Sequence, residues 1–136
     1  MTPTPLYQEK LMPRKRMLME MGMGTDLRGQ DYTKAAVRGL KDALWHNSIS
    51  IAPVLGYSRD AMHVEVQVGV AQPEQVDKAA VAAVLPYGTS TVTVVEGGLD
   101  IVNDEGTNTT VIANVAAVVY LEIDMKSATD TSETGS

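Results

Sequence analysis

Between residues 17 and 44 the apolar pattern of this chain changes period, and the change is centred on a glycine-rich turn. Met17, Met19, Met21 and Met23 alternate with Leu18, Glu20, Gly22 and Gly24, the two-residue period of a strand. After the turn, Ala36, Val37, Leu40, Ala43 and Leu44 recur at helical spacing, while Lys34, Arg38, Lys41 and Asp42 fall largely off that stripe. Both periods are accommodated by a strand, a polar turn and a helix over about residues 31–47 that lies on a sheet. In this reading the methionine stripe faces the core, and Asp31 caps or charges the first helical turn.

The rest of the chain extends the pattern. Met62, Val64, Val66, Val68 and Val70 alternate with His63, Glu65, Gln67 and Gly69, a half-buried strand. Pro73 is expected to open a second helix carrying Val76, Ala79, Ala80, Ala83 and Val84, ended by Pro86 and Gly88. Residues 90–96 and 110–123 read as third and fourth strands joined through a turn at Asn103–Gly106; the fourth is apolar on both faces. The expected fold is therefore α+β in the order β-α-β-α-β-β: one domain, a four-stranded sheet and two helices on one face. Residues 1–15 read as a flexible N-terminal arm, 16–125 as the domain and 126–136 as a disordered tail. The second sheet face carries Ala116, Val118 and Tyr120, which predicts cover from further copies of the chain, a homo-oligomer.

Charge and composition exclude several functions. A net charge of −6 argues against nucleic acid as a partner, since only Lys10, Arg14, Lys15 and Arg16 form a basic cluster. No apolar run reaches the length of a membrane span, and the first residues lack a secretory pattern, so no membrane partner and a cytoplasmic location are expected. With no cysteine, disulfides and thiolate chemistry are ruled out.

The candidate site is the turn itself. Gly22, Gly24 and Gly29 frame Asp26, Arg28, Gln30 and Asp31, with Lys34 following in the helix. The spacing is neither a dinucleotide fingerprint nor a phosphate loop, because Leu27 stands where a third glycine belongs and no Gly-Lys-Ser/Thr follows. Backbone N–H groups at a helix start, beside Arg28 and Lys34, suit a carboxylate, phosphate or polarised carbonyl. The alternative is that Asp26 and Asp31 neutralise these cations and cap the helix. Glu96 and Gly97 end the third strand much as Gly22 and Gly24 end the first, so Glu20 and Glu96 could meet at one rim as an acid/base pair, although solvent-facing or salt-bridged strand-end charges are the favoured reading. His46 and His63 lack metal-ligand spacing, Ser48 and Ser50 lack a triad pattern, and neither metal nor cofactor is expected.

The run Gly-Met-Gly-Thr-Asp-Leu-Arg-Gly-Gln-Asp-Tyr-Thr-Lys-Ala-Ala-Val-Arg, residues 22–38, resembles the signature of a small family of conserved hypothetical proteins, the Lin-type family, whose motif is GxGxDxHG. Asn47-Ser48, Val68-Gly69-Val70 and Val95-Glu96-Gly97-Gly98-Leu99 resemble it as well. The resemblance covers about residues 16–124 and implies a fold and a site region, with no reaction. Arg28 occupies the motif's histidine position; a guanidinium stays protonated and cannot shuttle a proton, although it can hold an anion. Asp31-Tyr32-Thr33-Lys34 is also similar to the strand-to-helix junction of ring-opening amidohydrolases such as cyanuric acid hydrolase and barbiturase. Those enzymes use three concatenated units, which implies a homotrimer here, with Lys34 matching a substrate-holding arginine. Their Lys–Ser pair has no counterpart, since Gly22 stands at the strand end where the lysine belongs.

Three functions follow as expectations. The first is a homo-oligomer, a trimer by the favoured count, that binds a small polar or anionic molecule at Gly22–Lys34. The second is an amidohydrolase-like enzyme acting on cyclic amides, and the third a non-catalytic assembly subunit.

Overall fold

Thirteen residues from Arg14 to Asp26 form β1, and the chain turns through residues 27–31 into α1, Tyr32–Trp45. A short α2 (Ile51–Val54) leads to β2 (Met62–Val70). Then come α3 (Lys78–Ala82), β3 (Thr89–Glu96), β4 (Leu99–Val102) and β5 (Thr109–Glu122). The computed structural model describes residues 14–45 and 51–122; Lys10, His46, Asn47, Ser48, Ser50 and the chain after residue 122 lie outside them.

The strands make one mixed sheet in the order β1-β5-β2-β3, with β4 also paired to β5. Strands β1 and β2 each run antiparallel to β5, and β3 is parallel to β2, so β1, β2 and β3 all end at one edge of the sheet. The α+β class and the two principal helical segments agree with the sequence reading; β4 is a fifth strand beyond the four expected. It arises because the chain crosses over the end of β2. Gly97 N–H donates to Val70 O at 2.8 Å, and a Cβ on Gly98 would overlap Ile112 O and lie 2.8 Å from Gly69 O. Only glycine passes there, at φ +61°. Residues 99–102 then continue alongside β5 in the line that β2 has vacated.

The helices cover one sheet face. Val64, Val66, Val68 and Val70 of β2 and Val111, Ala113, Val115, Ala117 and Val119 of β5 meet Tyr32, Ala35, Ala36, Leu40 and Val81 in the core. Against β1 the fit is closer still. A Cβ on Gly22 would overlap Ala43 N and Gly39 O and lie 2.9 Å from Ala43 Cα; one on Gly24 would overlap Ala35 O and Gly39 N. Backbone therefore packs directly on backbone, and glycine on both elements is what permits it.

This contact overturns the expected orientation of β1. Glycine turns the even-numbered residues from Leu18 to Asp26 toward α1, and Met19, Met21 and Met23 point to the opposite face, 49%, 68% and 56% exposed. A one-residue register shift between Arg16 and Leu18 leaves Met17 packed beside Leu18 at the core margin. Arg14 and Lys15, read as part of the arm, belong to β1, where Arg14 lies 3.9 Å from Glu122.

The second helix is also shorter than Pro73 suggested. Residues 73–75 form a single tight turn, and α3 starts afresh at Lys78, capped by Asp77, whose Oδ1 accepts from Ala79 N and Ala80 N at 3.0 and 3.3 Å.

His63 lies on the uncovered face of β2, with Nδ1 2.7 Å from Thr89 Oγ1 on β3. Burial lowers its pKa, with the Arg14 charge adding to the effect, while Glu65 and Glu122 oppose it. The unfolded chain thus takes up this proton more readily than the folded one. The contribution to stability is complete above about pH 6.5 and is lost as pH falls through the lowered folded value. Thermal melts between pH 7.5 and 5 should show a smaller acid loss in His63→Gln than in the wild type; an identical loss contradicts this assignment.

Candidate functional site

Where β1, β2 and β3 end, the turn 27–31 and the start of α1 lie over a row of three residues. Asp26 pairs with Val111, and Val111 pairs with Asp100. Directly paired residues share a face, so Asp26 and Asp100 stand on the helix side about 10 Å apart with one strand between them. Both carboxylates engage the beginning of α1. Asp26 Oδ2 accepts from Asp31 N at 2.9 Å, and Asp100 Oδ2 accepts from the Tyr32 hydroxyl.

Each side chain has a local reason for its place. Asp31 Oδ1 accepts from Lys34 N at 2.9 Å and Asp31 O from Ala35 N, an N-terminal cap on α1. Asp26, 6% exposed, meets Arg38 one and a half turns along the helix: Arg38 Nη1 lies 3.6 Å from Asp26 Oδ1 and donates to Thr25 O at 2.7 Å. A Cβ on Gly29 would lie 3.0 Å from Asp26 Oδ2, so glycine leaves that oxygen room to receive Asp31 N–H. Gln30 takes φ +49°, and its Nε2 lies 3.2 Å from the Tyr32 hydroxyl. Thr110 Oγ1 donates to Leu27 O at 3.2 Å, tying the turn to β5.

Tyr32 is buried, and its pKa is raised, first by burial and then by the bond to Asp100. It therefore stays a protonated donor. Asp100 Oδ1, by contrast, is buried with no hydrogen-bond partner among the described residues. A buried carboxylate oxygen without a donor is costly, about 1–3 kcal/mol, and is uncommon in settled structure.

The residues read from sequence therefore separate into groups. Gly22 and Gly24 lie beneath α1 and shape packing; they do not border the turn. Asp31 caps α1, as the alternative expects, but Asp26 meets Arg38 and Asp31 N–H, and among the described residues neither acid pairs with the Arg28 or Lys34 side chain. Arg28, Gln30 and Lys34 remain on the exposed side of the turn and first helical turn. Gly97 belongs to the crossover beside Gly69. Glu20 and Glu96 do not form a pair: Glu20 lies in the same row as Val92, four residues short of Glu96 and three strands away. Strand spacing and the four-residue offset along the strands together separate them by about 20 Å. Among the described residues no three acidic or histidine side chains gather as metal ligands.

Sequence reasoning missed Tyr32, Arg38 and Asp100 as members of this cluster. Asp100 had one available signal, a carboxylate alternating with Leu99 and Ile101, which reverses the usual apolar-inward order. Tyr32 and Asp100 are 68 residues apart, so no local spacing joins them.

Comparison with known proteins gives two findings. A family model described as a conserved hypothetical protein (Lin0512_fam) matches residues 16–119. The chain is also similar to the crystal structure of an FtsZ-like protein of unknown function from Nostoc punctiforme PCC 73102, with 41% identity and a TM-score of 0.73, over 82% of this chain and 99% of that one. No curated protein matches.

Proposed function

This chain belongs to the Lin0512 family of conserved hypothetical proteins, and on that premise we propose that it is a homo-oligomer binding a small polar or anionic molecule at the turn between β1 and α1. The observation that carries the reading is the unsatisfied oxygen of Asp100 at the foot of a turn whose other acids are all engaged. A ligand N–H or O–H that reaches Asp100 Oδ1 removes that deficit, and because this oxygen is buried the turn must open to admit it. Arg28 and Lys34, the cations exposed on the turn and the first turn of α1, suit an anionic or strongly polarised group on the same molecule. Arg28 in the motif's histidine position favours binding over proton transfer.

Thermal-shift measurements with carboxylates, inorganic phosphate and cyclic ureides test this. A ligand held at 100 times its Kd raises stability by about 2.7 kcal/mol. Arg28→Ala and Lys34→Ala, being surface changes, should alter the unliganded protein by about 0.5 kcal/mol or less. Each should weaken the ligand-induced shift. No shift with any probe, or an undiminished shift in both variants, overturns the binding reading. Turnover of a cyclic ureide that disappears in Lys34→Ala moves the assignment to a hydrolase. The assembly-subunit reading, in which the charged turn only makes salt bridges between copies, is supported instead if these two variants lose the oligomer.

A further inference from the structure

We infer that the uncovered face of the sheet is the contact surface between copies of this chain, an inference that rests on the homo-oligomer in the reading above and names its interface. On β1 the face carries Met19, Met21 and Met23; on β4 it carries Leu99 and Ile101, 54% and 49% exposed; on β3 it carries Val95, 52% exposed. Ile112 and Ala116 on β5 join them into one surface by register: Met21 pairs with Ala116, Leu99 with Ile112 and Ala116 with Gln67.

Charge is distributed unevenly on this face. Arg14, Arg16, His63, Glu65 and Glu122 all lie toward the start of β1 and the end of β5. From the Met21–Ala116–Gln67 row to the Ile101–Thr110 row no charged side chain points outward. A solvated sheet face ordinarily alternates polar residues over its whole length, and edge strands carry lysine or glutamate to deter pairing. Here only charge is missing from that half: its polar side chains, Thr25, Gln67, Thr93, Thr110 and Asn114, are all neutral.

The size fits a second copy. Four strands at about 4.8 Å by eight residues at about 3.3 Å give a footprint of roughly 500 Å². Two such faces reach about 1,000 Å², the threshold of a specific interface, and one alone is as large as the largest apolar patches of monomers, about 300–600 Å², which are often functional. The shape fits as well. Beside the methionine row lies a hollow of about 340 Å³ lined by Met21, Gln67, Gly69, Val95, Asn114 and Ala116. It is open because Gly69 and Ala116 present little bulk. Methionines are adaptable fillers, and those of one copy can enter the hollow of the other, where Gln67 and Asn114 supply paired amide hydrogen bonds.

Sedimentation velocity at about 10–100 µM on the full chain is the test, with Met21→Glu and Ile101→Lys, two exposed positions where the single chain tolerates charge. Far-ultraviolet circular dichroism confirms that the variants fold. The expected result is a wild-type oligomer and at least a tenfold weaker association in each variant with an unchanged spectrum. An oligomer that persists in both variants overturns the assignment to this face and leaves the homo-oligomer standing. A wild-type chain that sediments as a monomer throughout the range overturns both.

Discussion

Gly24→Ala is expected to lower the unfolding free energy by about 3 kcal/mol, with a falling urea midpoint and an unchanged m value. The added methyl group overlaps Ala35 O and Gly39 N, and also stands 2.9 Å from Arg38 C. These are backbone atoms of α1, so no side-chain rotation relieves them. The helix must rise from β1, and Ala35, Ala36, Leu40 and Ala43 all sit on its buried side. Small residues hold that interface at close range, and dispersion falls steeply with separation. Gly69→Ala is the matched control. Its Cβ meets nothing nearer than 3.5 Å, an ordinary contact, so its effect should stay below about 1 kcal/mol. Equal losses in the two variants would refute the close-packing account of the motif glycines.

The same glycines show how far the sequence could be read. Alternation from Met17 to Gly24 is enough to identify a strand, because the period is independent of which side is covered. It does not settle the phase, and a one-residue change of phase moves every side chain to the other face. Hydropathy assigns the methionines inward. Helix-on-sheet packing reverses the choice, because α1 approaches so closely that only Gly22 and Gly24 fit beneath it. The valines of β2 carried no such ambiguity: their partners on the polar side are His63, Glu65 and Gln67. β4 escaped notice because four residues between Gly98 and the turn at Asn103 are too few for a periodic signal. At the site, the capping role of Asp31 was legible from its place before the helical stripe. The Tyr32–Asp100 pair was not, since it exists only once the crossover at Gly97 and Gly98 brings β4 beside β5 under the helix.

Asp26→Ala is the second large effect expected, about 2 kcal/mol of lost stability together with loosening of the turn. The Asp26 carboxylate accepts from Asp31 N across five residues and so closes the loop 27–30. A charge-assisted bond of this kind contributes about 1.5–3 kcal/mol. Its loss leaves Asp31 N–H without an acceptor and deprives the helix start of a nearby negative charge. The Arg38 pair adds less. At 3.6 Å, with the Arg38 side chain 52% exposed, it is worth at most about 1 kcal/mol after solvent screening. The two contributions separate by substitution. Arg38→Ala removes the ion pair and the bond to Thr25 O yet keeps the Asp26–Asp31 contact, so it should cost about 1 kcal/mol. Asp26→Asn retains an oxygen acceptor and should fall between Arg38→Ala and Asp26→Ala. Chemical denaturation ranks the three, and limited proteolysis at Arg28 reports the loop directly, with trypsin cutting faster in Asp26→Ala than in Arg38→Ala. The reverse order would mean that the ion pair, and not the carboxylate-to-backbone bond, holds the turn over β5. Arg28 and Gln30 would then owe their placement to Arg38, and the binding surface would move with that side chain.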